Sequence, residues 1–171
     1  RIDDGHLRIG AAETISHVAS NPEVLNRFPA LADAAGHIAG PQLRNSGTIG
    51  GNLCLDTRCT YYNQTAFWRE ALGYCLKKDG DVCHVIRVGK KCVAAHSADT
   101  PPVLMTLDAV ATLVGPDGQR SVPVRDFFVA DGIVNSRRAP DEIVTELRIP
   151  LASAEPISYQ EMPTCGYWIV P

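Results

Sequence analysis

Four cysteines, Cys59, Cys75, Cys83 and Cys92, are separated by 15, 7 and 8 residues in a stretch unlike the sequence on either side of it. No other feature restricts the chain as much, because thiols that meet at one ligand dictate the path of the backbone between them. From Cys54 to His96 the chain carries five of its six cysteines and is rich in Lys, Arg and Tyr, so residues 55–95 read as an insertion. No two of the four form a Cys-x-x-Cys pair, the close pairing that zinc knuckles supply, so the spacing disfavours zinc. A 4Fe-4S cluster also takes four thiolates, but around a larger core that a long irregular loop can wrap. Arg58, Arg69, Lys77, Lys78, Arg87, Lys90 and Lys91 face four acidic residues in this stretch. Cations near a cluster favour its reduced form, although most of these residues, taken singly, read as solvated surface charges. Spacing leaves three readings open: a cluster, placed first, then zinc or thiols without a metal. Cys54 reads as a small buried hydrophobe and as the substitute ligand if one of the four is misassigned. His84 reads as a neighbour of the ligands, not a ligand, and Cys165 has no assigned role.

Around the insertion the chain has an ordinary globular pattern. Leu7-Arg8-Ile9-Gly10 alternates like a short strand, and Thr14 caps a helix predicted through Ser20. Asn21-Pro22 restarts a helix, with Asn21 as acceptor for free amides and Pro22 at a position that needs no donor. Pro29 opens a third helix, predicted to put Leu31, Ala34, Ala35 and Ile38 on one face and to stop at Gly40-Pro41. Residues 44–53 read as a turn-rich segment leading to the pair Gly50-Gly51. Past the insertion, Asp99-Thr100-Pro101-Pro102 opens a helix through Leu107. Pro116-Asp117-Gly118 joins two strands of a hairpin, Phe127 and Phe128 are core candidates, and residues 142–149 alternate as a half-buried strand ending at Pro150. The predicted fold class is α+β, with a mainly antiparallel sheet and flanking helices.

With 16 basic and 19 acidic residues, a net charge of −3 gives no broad cationic surface for nucleic acid or anionic lipid. The apolar run around Val103 to Leu113 is broken by Thr106 and Asp108 and is too short to cross a bilayer, so no membrane span is expected. Arg1-Ile2-Asp3-Asp4-Gly5 has none of the features of a secretory signal. A reducing cytoplasm is the expected setting, where clustered thiols bind metal or do redox chemistry more often than they pair.

Thr48-Ile49-Gly50-Gly51-Asn52 lacks Cβ atoms at two consecutive positions, which lets a phosphate-bearing ligand approach the backbone. No Gly-x-Gly-x-x-Gly follows a strand, so a Rossmann site is not indicated. Residues 44–53, then Ala98-Asp99-Thr100-Pro101-Pro102-Val103-Leu104, then Ile143 to Pro150 together resemble the FAD-binding subunit of the xanthine dehydrogenase and carbon monoxide dehydrogenase family, from about Leu7 to Pro150. The resemblance implies a FAD-binding domain of the PCMH/CO dehydrogenase flavoprotein type over residues 1–150, with the N-terminal part of that domain missing. It also implies a C-terminal region starting at 151–171 that is divergent or truncated, since Pro163-Thr164-Cys165-Gly166-Tyr167-Trp168 does not continue the family pattern after Tyr159. Thr48, Ile49, Gly50, Gly51 and Asn52 would contact the FAD, chiefly its diphosphate and the flavin edge, and Asp99 its ribose or adenine side. Helix N-capping is the alternative role for Asp99. Ile38 and Val144 would pack on the cofactor, with ordinary core as their alternative.

The insertion resembles the β subunit of 4-hydroxybenzoyl-coenzyme A reductase, where such a loop holds an additional 4Fe-4S cluster; Cys59, Cys75, Cys83 and Cys92 would be its ligands. The implied partners are a molybdopterin-binding large subunit and a 2Fe-2S small subunit. The implied function is electron transfer between FAD and iron–sulfur clusters in a molybdenum-containing oxidoreductase. The competing expectation is a non-catalytic module whose cysteine loop binds zinc or shapes a partner interface.

Overall fold

The structure is a computed structural model that describes residues 1–86 and 88–153. Arg87, Cys165 and the readings made on Tyr159 and on residues 163–168 lie outside the described residues.

Five antiparallel strands form one sheet in the order β1-β2-β5-β3-β4. They are β1 (Ile2–Asp3), β2 (His6–Gly10), β3 (Val110–Gly115), β4 (Gly118–Pro123) and β5 (Ile143–Pro150). The strands predicted from alternation appear as β2 and β5, and the hairpin predicted at Pro116-Asp117-Gly118 appears as β3 and β4, joined across Pro116-Asp117 with Gly118 at φ +105°. β1, too short to give a periodic signal, was not predicted.

Register explains which face is buried. Ile9 lies opposite Leu147, Leu147 opposite Ala111, and Ala111 opposite Val122, so one buried row crosses four strands. The other face carries Arg8, whose Nε donates to Glu146 at 2.8 Å and whose Nη1 donates to Asp3 at 3.0 Å. A one-residue slip would exchange these faces, so the apolar row fixes the pairing.

Against the apolar face lie short helices that begin as the sequence predicts. Thr14 accepts from the His17 amide at the start of α1 (Ile15–Ser20), and Asn21 accepts from the Glu23 and Val24 amides of α2 (Pro22–Arg27). Helix α3 (Pro29–His37) buries Leu31, Ala34 and Ala35 completely. Ile38 is the C-cap residue, half-buried with an extended backbone, and packs against the same core. Each fully buried Leu or Ile of this core contributes roughly 1.5–3 kcal/mol.

The expectation of a turn-rich segment over residues 44–53 is corrected. Pro41 ends nothing; it opens α4 (Pro41–Ser46), and Thr48 caps α5 (Ile49–Leu53), which contains both glycines. Side-chain propensity hid these helices, since glycine is poor in a helix interior and a one-turn helix has no periodicity. The insertion holds one short helix, α6 (Ala66–Ala71). The chain then forms α7 (Thr100–Thr106) and α8 (Val124–Phe127), which buries Phe127; Phe128 is half-buried against the same core.

Candidate cofactor sites

Helix α5 is held by the loop that follows β2. The Ile49 amide donates to the Glu13 carbonyl and the Gly50 amide to the Ala11 carbonyl, both at 2.9 Å. The Gly51 amide donates to Thr48 Oγ1 at 3.1 Å, and the Asn52 amide to the Thr48 carbonyl at 2.9 Å. All four amides are therefore used within the protein, and a ligand here meets surface and side chains in place of free amide donors. Ile49 and Gly50 are buried, Gly51 is exposed, and Thr48 and Asn52 are half-buried.

Asn52 ties this segment to α7. Its Oδ1 accepts from the Thr100 amide at 3.2 Å and from Thr100 Oγ1 at 2.5 Å. Two motifs 48 residues apart in sequence thus lie side by side, with half-buried Asp99 next to Thr100. Asp99 occupies the N-cap position, yet its side chain makes no capping hydrogen bond. The capping role weighed for Asp99 in the sequence is taken by Asn52, a long-range partner that no local pattern reveals. Ile38 presents its carbonyl to Arg44 Nη1 at 2.9 Å and packs against the core edge, as does Val144 of β5. Thr48 to Asn52, Asp99, Ile38 and Val144 all belong to the helical layer or the strand beneath it.

The insertion leaves α5 and returns to α7, so its base stands beside this region. Arg58 and Ala95 close it with a pair of backbone hydrogen bonds of 2.9 and 3.1 Å. The His96 ring stacks on Phe128 with centroids 4.7 Å apart. Burial pushes the His96 imidazole below its usual pKa, against a hydrogen bond to the Leu53 backbone.

Cys59, Cys75, Cys83 and Cys92 line one small hollow inside the insertion, together with Lys77 and His84. All four are unpaired; three are buried and Cys59 is half-buried. Among the described residues no three His, Cys, Asp or Glu side chains converge closely enough to hold a single metal ion. A tetrahedral zinc site with Zn–S of about 2.3 Å would bring its sulfurs within ~3.8 Å of one another.

Backbone amides point at two of these sulfurs. The amide of Ile86, opposed by burial and helped by those of Val93 and Val85, holds the Cys83 thiol below its ordinary pKa. Burial pushes the Cys92 thiol up, offset by the Ala94 amide; the sulfurs of Cys83 and Cys59 raise it further and Lys77 lowers it. Such donors stabilise negative charge on sulfur. His84 hydrogen-bonds the Tyr74 carbonyl, lies tilted against the Tyr61 ring at 5.2 Å between centroids, and lines the hollow beside the thiols. Cys54 corrects its expectation: it is the exposed C-cap residue of α5 and does not line the hollow. Burial still pushes the Cys54 thiol up, offset by the charge of Arg138 and a hydrogen bond with it.

Comparison with known proteins places this arrangement. The profile of the FAD binding domain in molybdopterin dehydrogenase matches residues 1–152. The chain belongs to this family. Within the molybdopterin dehydrogenase FAD-binding domains, it is 31% identical over 157 residues to the aldehyde oxidoreductase FAD-binding subunit PaoB of Escherichia coli, covering 86% of the chain and 49% of that subunit. It is 30% identical over 143 residues to the carbon monoxide dehydrogenase medium chain of Hydrogenophaga pseudoflava, covering 83% and 36%. The reconstituted CO dehydrogenase from Oligotropha carboxidovorans superposes with a TM-score of 0.59 at 25% identity, covering 88% of the chain and 38% of that one. The chain spans about half or less of the length of these relatives. Its fold is that of the FAD-binding domain of the CO dehydrogenase medium chain.

Proposed function

We propose that this FAD-binding domain serves an electron-transferring oxidoreductase subunit of the molybdenum hydroxylase family, and that its insertion holds a 4Fe-4S cluster through Cys59, Cys75, Cys83 and Cys92. The observation that carries the reading is the shared hollow, which all four thiols line together with Lys77 and His84. A 4Fe-4S cluster takes four thiolate ligands, the number gathered in this hollow. The donor set fits in chemistry as well, since amides at Cys83 and Cys92 and the ammonium of Lys77 surround thiolates that must carry negative charge. On the flavin side, exposed Gly51 leaves a flush surface flanked by Thr48 and Asn52. Asp99 stands next to their bonded neighbour Thr100, which suits the ribose or adenine side. Ile49 and Gly50 would back this surface from beneath, and Ile38 and Val144 would bound it.

When bound, FAD and the cluster supply the redox couples; the chain supplies position, polarity and exclusion of water. The proposed setting is a cytoplasmic complex like 4-hydroxybenzoyl-coenzyme A reductase, with a molybdopterin-binding large subunit and a 2Fe-2S small subunit. Unpaired thiols in one hollow support a reducing compartment. Among the described residues no helix is long and apolar enough to cross a membrane.

Anaerobic purification of the full chain with analysis of iron, zinc, acid-labile sulfide and released FAD tests the proposal. The expected result is iron and sulfide in near-equal amounts, both lost on Cys75→Ser while FAD is kept. Zinc without sulfide would overturn the cluster and favour the zinc-binding module.

A further inference from the structure

Among the lysines of the insertion, Lys77 is set apart by burial. Its side chain is 6% exposed, whereas Lys78, Lys90 and Lys91 are exposed. Nζ donates to Asp56 Oδ1 at 2.8 Å, to Thr57 Oγ1 at 2.7 Å and to the Gly132 carbonyl at 2.6 Å, so every ammonium proton has an acceptor. The same ammonium lies 5.2 Å from the centroid of the Tyr62 ring. Lysine is rarely buried unless its charge is matched, and here the partners are one carboxylate, two neutral oxygens and the four-cysteine hollow that Lys77 lines.

Gly132 completes the arrangement from outside the insertion. It lies in the loop between α8 and β5, is buried, and donates its amide to the Cys92 carbonyl at 2.8 Å. A Cβ on Gly132 would fall 2.6 Å from Cys92 Sγ and 2.8 Å from the Ala94 nitrogen, so only glycine permits this approach. The ammonium is thereby fixed between the hollow and the sheet-bearing part of the fold. Asp56, the one anionic partner, has a side chain 48% exposed, so water screens it more than the buried ammonium.

We propose that Lys77, fixed by Thr57 and Gly132, is a positioning residue that sets the reduction potential of the group held by the four cysteines. The inference rests on the cluster reading. A fixed positive charge at the rim of a low-dielectric hollow favours the state with one more electron. The couple takes up one electron with no bond made or broken, and dithionite supplies that electron in the test.

The test measures iron and sulfide content and the midpoint potential by EPR-monitored dithionite titration of the full chain, unmodified and as Lys77→Met, Lys77→Arg and Asp56→Asn. Lys77→Met is expected to keep iron and sulfide but move the midpoint to more negative values, with Lys77→Arg restoring part of the shift. Asp56→Asn removes the opposing charge and is expected to move the midpoint the other way. Unchanged midpoints in loaded Lys77→Met and Asp56→Asn would overturn the inference. If Lys77→Met fails to hold iron, Asp56→Asn decides alone: a positive shift supports the role, and none rejects it. Absence of iron and sulfide from the unmodified chain would sink the cluster reading itself, and this inference with it.

Discussion

The two glycines of α5 do different work. Gly50 donates to the Ala11 carbonyl, and a Cβ there would stand 2.7 Å from Ala11 Cβ and 2.8 Å from Ala11 O. Both obstacles belong to a short loop fixed by β2, so neither can swing aside as a long side chain would. Gly50→Ala is expected to destabilise the chain by about 1–3 kcal/mol, the usual range for overpacking. At Gly51 the one near atom is Thr48 Oγ1 at 3.0 Å, on an exposed surface, so Gly51→Ala is expected to cost clearly less. Urea unfolding of both variants checks this, with equal costs as the contrary outcome. In the sequence the pair is legible only as one flexible unit. Which glycine packs and which faces outward depends on Ala11, some forty positions away. Asp99 gives the same lesson: Asp before Thr-Pro-Pro looks like a cap, and a long-range Asn takes the role.

Elements with a period or a punctuating residue were legible. β2 and β5 follow from alternation, β3 and β4 from the hairpin signal Pro116-Asp117-Gly118, and α1 and α2 from Thr14 and Asn21, whose side chains make the expected capping bonds. Helices α4 and α5 were not, because they span six and five residues and carry their glycines inside or at their ends. The start of α7 shows how tertiary contacts replace a local rule. Thr100 is fully buried, and its amide and hydroxyl both end on Asn52 Oδ1. Asn52→Ala would leave two buried donors without an acceptor, at about 1–3 kcal/mol. Asn52→Asp keeps an acceptor oxygen and is expected to recover most of the loss. Denaturant unfolding of the two variants distinguishes a capping role, which separates them, from a purely steric one, which does not.

At the scale of the whole molecule, the hydrophobic core and the insertion are built from different material. Every residue of the main apolar cluster lies before residue 55 or after residue 95. Inside the insertion the buried hydrophobic residues are Cys75, Cys83, Cys92 and Ala94, while Phe67, Trp68 and Val88 are 77%, 56% and 95% exposed. Convergence of the four sulfurs could not be read from intervals of 15, 7 and 8 residues, because loops of that length close in many ways at nearly equal entropic cost. A lobe whose interior is mostly thiol has little apolar burial to offset the entropy of ordering some forty residues, so under the proposed cluster reading its order rests in part on what the thiols bind. Stripping iron and sulfide with a chelator under anaerobic conditions is therefore expected to open the lobe and leave the sheet intact. Hydrogen exchange resolved by peptide measures this directly: amides of residues 59–92 should lose protection, whereas those of β2, β3 and β5 should keep theirs. Loss of protection in both regions together would mean that the lobe and the core unfold as one unit. Protection unchanged in both would mean that the lobe stands without the proposed cluster, and that hydrogen bonds such as those from Lys77 to Thr57 and Gly132 suffice to hold it.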